Sequence, residues 1–212
     1  RRMGVDPSQF RPRSINKGGH AGHDVSARAR LGVSFRDGDG HFFNSGTLNL
    51  TGDRPKMHTI NELTTDNSVL CLIDHQPWVA FPVTSIAPEL LTNNVIALAK
   101  AAKTLSVPTI LTTINGEGGP LRDPLLAGLS GIFPDQKPID RTNTNAWSDP
   151  AFVSAVEATG RKKLVMAGLW TEVCLAQTSI SALADGYEVY FVADASGGLS
   201  SEAHQRACER MV

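Results

Sequence analysis

The 212-residue chain contains no uninterrupted apolar run near the about 18–20 residues that a bilayer-spanning helix needs, which excludes an integral membrane protein of that kind. Cysteine is scarce. Cys71, Cys174 and Cys208 are widely spaced and odd in number, which argues against a disulfide framework and leaves each thiol to be judged singly. An excess of either charge is also lacking: 20 basic against 21 acidic side chains leave a net of −1, so nothing electrostatic points to nucleic acid as the main partner. There is no Walker-type loop, no glycine cluster opening a helix after a strand in dinucleotide-binding spacing, and no Gly-x-Ser-x-Gly elbow. What is present, 41% hydrophobic and 19% charged residues, is the balance of a globular protein with a sizeable core.

That balance is not uniform. Residues 1–56 hold ten basic and five acidic side chains and nine of the 19 glycines, without sustained apolar periodicity. Stretches such as Lys17-Gly18-Gly19-His20-Ala21-Gly22-His23 bury too little apolar surface to offset their ordering entropy. We read residues 1–56 as a disordered or non-native appendage, with a weak strand around 48–50, and residues 57–212 as the folded domain. Its origin is open between a genuine tail and vector-derived or upstream-translated sequence. Asp6 and Asp24 count against a transit peptide, and no apolar segment follows Arg1-Arg2, so the expected location is cytoplasmic. His20 and His23 lack a third ligand, which makes them a poor metal site.

From residue 62 the chain alternates apolar strands with amphipathic segments. Residues 68–74 read as a β-rich run ending in a carboxylate. Leu91, Val95, Leu98, Ala102 and Leu105 recur in 4,3,4,3 steps, which predicts a helix over 89–106. Strands are predicted at 108–113, 163–168 and 188–194, and helices from Asp149-Pro150 to Gly160, over 171–185, and from 202 onward. The stretch from Asn115 to Arg141 reads as irregular. Near-continuous apolar strands between helices predict a three-layer α/β/α domain with a mainly parallel sheet.

In such sheets ligands sit beyond the carboxyl ends of the strands. Those ends offer Asp74, Thr112 and Thr113, Arg141, Gly168 to Cys174, and Asp194. Cys174 falls in the first turn of a helix, where free N–H groups and the helix dipole favour thiolate and could hold an oxyanion. It reads either as a nucleophile or as a small buried hydrophobe. Asp74 reads either as a base or as a turn cap. Arg141 could hold a carboxylate or an anionic substrate, or be a surface arginine. Cys71 and Cys208 read as inert packing, and Asp194 as structural.

Leu70-Cys71-Leu72-Ile73-Asp74-His75-Gln76 and Ala167-Gly168-Leu169-Trp170-Thr171-Glu172-Val173-Cys174, supported by Ala193-Asp194-Ala195-Ser196-Gly197, resemble the isochorismatase-like hydrolase superfamily of cysteine hydrolases. With Asn143-Thr144-Asn145-Ala146-Trp147, the likeness is closest to its YcaC-type bacterial members. The resemblance implies an Asp–Lys–Cys triad, with Asp74 and Cys174 matching and Arg141 standing where lysine is usual. It also implies a cis peptide at Leu169–Trp170 or Trp170–Thr171, and an oxyanion site from the backbone of Trp170 or Thr171 and of Cys174. Gln76, Phe81, Trp147 and Trp170 would face substrate, although core packing explains the aromatics almost as well. No histidine lies between His75 and Arg141, so no catalytic metal and no cofactor is expected. Family members usually continue past Met211 with a further strand, so the domain reads as truncated at its carboxyl end.

The implied activity is cofactor-independent hydrolysis of a small amide-type or related carbonyl compound, a C–N bond other than a peptide bond, through a thioacyl intermediate. The expected partners are that small molecule and further copies of the chain, not nucleic acid or membrane. The rival readings are a redox-responsive thiol protein and an oligomeric scaffold with a vestigial pocket.

Overall fold

The computed structural model describes residues 62–118 and 123–212. The predicted appendage and its weak strand at 48–50 lie outside them. Five parallel strands, β1 (Ser68–Ile73), β2 (Thr109–Ile114), β3 (Ile139–Arg141), β4 (Lys163–Gly168) and β5 (Glu188–Phe191), form one sheet in the order β3-β2-β1-β4-β5. The helices are α1 (Pro77–Ala80), α2 (Pro88–Thr104), α3 (Ala127–Ile132), α4 (Pro150–Ala158), α5 (Ala176–Ala184) and α6 (Ser201–Arg210).

The two-residue alternation of a strand divides the core into two layers. Val69, Cys71 and Ile73 of β1 pack with Phe152 and Val156 of α4, Ala182 of α5 and Ala207 of α6. Leu70 and Leu72 point the other way, against Val95, Ala99 and Ala102 of α2 and Leu129 of α3. A fully buried aliphatic side chain is worth about 1.5–3 kcal/mol, so these two layers carry most of the stabilisation. The predicted three-layer architecture is the one observed.

Local signals explain several boundaries. The Asp149 carboxylate accepts from the amides of Ala151 and Phe152, with Pro150 filling a first-turn position whose N–H needs no partner. Gly160 stops the chain after α4 with φ of +67°, a conformation open to a residue without a Cβ.

Three expectations need correcting. Leu105 caps α2 rather than extending its buried stripe and is 57% exposed, whereas Ala99, not counted in the stripe, is fully buried. The last strand ends at Phe191, and Asp194 lies exposed in a single 3-10 turn, Ala193–Ala195, with its carbonyl accepting from the Asn94 side chain. The stretch read as irregular contains α3, and it also contains β3.

The strand order sets the position of any site. From central β1 the chain winds outward through β2 and β3, then crosses back to β4 and winds the other way. Outside the carboxyl ends of β1 and β4 the loops diverge, and this switch point is where parallel sheets open a crevice. Ile73 pairs with Thr112 on one side and Gly168 on the other, and Ile114 pairs with Arg141.

Candidate active site

Three consecutive residues leave β1 and fan out into three directions. Asp74 has φ of +58°, a left-handed conformation that aspartate tolerates better than most residues and that turns the chain sharply. Its carboxylate points into the crevice and is fully buried. The ring of His75 turns towards the far side, where Nε2 lies 2.9 Å from the Ala195 carbonyl. The Gln76 amide turns towards the β2 side, donating to the carbonyls of Ile114 (3.2 Å) and Asp123 (2.7 Å) and accepting from the Ile114 amide (2.7 Å). Gln76 was expected to face substrate. Every polar atom of its side chain is instead spent on holding two loops at the rim.

Opposite, β4 ends at Gly168 and the Leu169–Trp170 peptide is cis, at one of the two positions the resemblance implied. A π-type turn, Thr171–Leu175, then leads into α5 and carries Cys174. The turn is anchored from below. Thr171 donates its amide to the Gly197 carbonyl (2.9 Å), and the Trp170 indole donates to the Val79 carbonyl (2.8 Å). The Thr171 amide is therefore committed and is not available to an oxyanion. The Trp170 amide, by contrast, favours negative charge on the Cys174 sulfur.

Asp74, Arg141 and Cys174 meet at this point. One carboxylate oxygen of Asp74 accepts from Arg141 Nη2 at 2.5 Å and the other from the Thr112 hydroxyl at 2.9 Å, while the Cys174 thiol also hydrogen-bonds to the carboxylate. Arg141 donates through its other terminal nitrogen to the Asn143 carbonyl, and its Nε is buried without a hydrogen-bond partner. Both charged side chains of the ion pair are completely buried.

Burial is the largest influence on Asp74 and pushes its carboxyl up. The Arg141 charge and the hydrogen bonds from Thr112, Cys174 and Arg141 pull against it. The Cys174 thiol is pushed up to about 12, first by burial and then by the negative charge of Asp74, with Arg141 and the Trp170 amide opposing. This corrects the expectation of a resident thiolate. At 4% exposure, loss of water around the sulfur outweighs the amides at the start of the helix. Cys174 therefore rests as a thiol beside Asp74, whose side chain is held by the Arg141 guanidinium.

Two predicted aromatic contacts lie elsewhere. Trp147 packs edge-on against Phe152 and Tyr187 and donates its indole N–H to Asp185 (2.6 Å), eleven residues beyond Cys174 and about 16 Å along the helix. It belongs to the core between α4 and α5. Phe81 is 82% exposed and stacks edge-on with Trp78 on the outer surface. Trp170 is half-buried among Val79, Val83, Leu91 and Leu169 near the sulfur. Thr112, which the strand-end reading placed on the rim without a role, is a direct partner of Asp74. Among the described residues, no group of three or more His, Cys, Asp or Glu side chains is placed to hold a metal ion, and no helix is long and apolar enough to cross a membrane.

Comparison with known proteins places this geometry in context. The isochorismatase domain family matches residues 68–212. The probable hydrolase YcaC of Escherichia coli (strain K12) is 42% identical over 150 residues, which are 70% of this chain and 71% of that protein. The crystal structure of that YcaC gene product, an octameric hydrolase of unknown specificity, superposes with a TM-score of 0.67 at 41% identity over 70% of this chain and 72% of its own. YcaC from Pseudomonas aeruginosa, crystallised with hexane-2,5-diol and covalent acrylamide, gives 0.68 at 39% identity over 72% and 75%.

Proposed function

From the premise that the chain belongs to the isochorismatase domain family of hydrolases, we propose that it is a cysteine hydrolase cleaving a small amide-type or related carbonyl compound, with Cys174 as nucleophile. The observation that carries the reading is the buried Cys174–Asp74–Arg141 constellation at the switch point of the sheet.

The chemistry follows from the partners. Asp74 takes the thiol proton as sulfur attacks the substrate carbonyl, so the high thiol pKa is met by a base already hydrogen-bonded to it. The carbonyl oxygen becomes an oxyanion facing the Trp170 amide and the amide of Cys174 itself. Collapse breaks the C–N bond, and Asp74, now a carboxylic acid, delivers the proton to the departing amine. Water loses a proton to Asp74 and attacks the thioester, the C–S bond breaks, and the thiol is restored with the proton that Asp74 carries. Arg141 takes no part in these proton transfers. It supplies a fixed positive charge to the carboxylate, where a lysine would also offer a mobile proton.

The Pseudomonas aeruginosa relative, with acrylamide bound covalently, supports a reactive site in proteins of this kind, and the octameric Escherichia coli relative supports assembly of this chain into a homo-oligomer. The test is a panel of small amides and esters with rapid acid quench and intact mass spectrometry. An acyl adduct on Cys174 that accumulates and decays with turnover, and that is lost in a folded Cys174→Ala variant, is the expected result. Turnover retained by Cys174→Ala would reject the nucleophile assignment.

A further inference from the structure

The mechanism leaves unused a cluster behind the nucleophile turn, made of His204, Glu172 and Cys208. Resting on the reading of Cys174 as nucleophile, we propose that His204 is a positioning residue, holding through Thr171 the turn that carries the sulfur.

Thr171 is the first residue of the turn that carries Cys174 and is completely buried. Its hydroxyl lies 2.8 Å from Nδ1 of His204, and its amide donates to Gly197. Either neutral tautomer makes the side-chain bond, with Nδ1–H donating to Oγ1 or the hydroxyl donating to Nδ1. A buried hydroxyl stripped of its partner would bear its full desolvation penalty, so Thr171 is strongly tied to the ring.

His204 is itself held close to the turn. The Ser200 hydroxyl accepts from the Ala203 amide (3.0 Å) and starts α6, while Glu172 reaches across to accept from the Leu199 amide (2.8 Å). The second oxygen of Glu172 is buried without a hydrogen-bond partner. A Cβ on Gly198 would come within 2.5 Å of that oxygen and 3.1 Å of the His204 Cβ, so glycine lets the turn and α6 close on each other. The groups facing the ring are Thr171, the Glu172 carboxylate, whose charge acts on it, and the Cys208 sulfur, 3.7 Å from Nε2. Burial lowers the ring's pKa, the Glu172 charge opposes it, and the outcome is a lowered value that keeps the imidazole neutral near pH 7.

The route to the chemistry is one residue long. Thr171 follows Trp170 directly, and the Trp170 amide is one of the groups that favour negative charge on sulfur. Misplacement of a reacting group by about 1 Å can lower a rate about 10²-fold, so small play in this turn reaches the nucleophile without disturbing Asp74 or Arg141.

The test is the rate of Cys174 alkylation by iodoacetamide on the full chain, followed by peptide mass spectrometry across pH, with thermal unfolding measured in parallel. His204→Ala is expected to slow Cys174 labelling at neutral pH about fivefold or more. Thr171→Val should do the same and Thr171→Ser should not, while the Thr171→Val/His204→Ala double variant should lose no more than either single one. His204→Asn, which keeps a hydrogen-bonding group, should recover part of the rate. A His204→Ala protein with a lowered Tm but an unchanged labelling rate, or additive losses in the double variant, would overturn the proposal. Where His204→Ala does not fold, equal rates for Thr171→Val and Thr171→Ser overturn it equally. A wild-type Cys174 that labels no faster than Cys208 overturns the nucleophile reading itself, and this proposal with it.

Discussion

Cys71 and Cys174 are both sealed from solvent and both have their thiols pushed up to about 12, yet their surroundings differ in kind. Around Cys71, in the middle of β1, burial alone raises the thiol, and its neighbours are aliphatic and aromatic side chains. Around Cys174, at the rim, burial is joined by a carboxylate that accepts from the thiol, and a guanidinium and a backbone amide pull the other way. Resting acidity does not distinguish the two thiols. On the proposed function, the neighbouring carboxylate, the fixed positive charge and the backbone N–H do.

Removing parts of the rim should make it behave like the interior of the sheet. Asp74→Asn takes away the proton acceptor, and thiol alkylation and turnover should both fall about 10²–10⁴-fold with the fold retained. Arg141→Leu leaves the Asp74 carboxylate buried without its counter-charge and should cost about 3–5 kcal/mol in urea denaturation. The Asp74→Leu/Arg141→Leu protein, with neither charge, should regain most of that loss without regaining reactivity. A single Arg141→Leu variant as stable as wild type would show that Asp74 is already neutral in the native state.

The smallest effect belongs to Cys71→Ala, expected to cost about 1 kcal/mol at neutral pH and to leave Cys174 labelling unchanged. Its pH signature is sharper. Because the folded thiol is raised from 9.0 to about 12, its contribution is fully present below pH 9 and is lost as pH climbs towards 12, where the unfolded chain releases a proton that the native one keeps. The variant should therefore lose stability less steeply above pH 9 than the wild type, as measured by denaturant titrations at stepped pH. Identical slopes would place the Cys71 thiol in a wetter environment than the core of the sheet.

Much of this arrangement was legible before any coordinates. The continuous apolar strands marked a sheet covered on both faces, and the residues ending β1 and β4 named Asp74 and the Cys174 turn as neighbours of one crevice. What stayed hidden has physical reasons. The helix Ala127–Ile132 contains two glycines and no charged residue, so local propensity argues against it, and packing of Leu129 into the core decides it. β3 has only three residues, too few for a pattern. Trp147 was expected to face substrate with Phe81 and Trp170, but its indole donates to Asp185 instead. Gln76 gave no hint that its amide would clasp the Ile114 and Asp123 loops. The Thr171–His204 bond spans 33 residues and two elements, a pairing invisible to spacing. The thiol's acidity was misjudged for one reason: a sequence shows the helix start but not the depth of burial.

The most direct test of the account sets reactivity against exposure. Native protein is treated with acrylamide, and adducts on the three cysteines are timed by peptide mass spectrometry. Cys208 is partly exposed and Cys174 only 4%, so simple access predicts labelling of Cys208 first. The account predicts that Cys174 is modified first and Cys71 not at all. Labelling that follows exposure, with Cys208 ahead and Cys174 as silent as Cys71, would contradict it.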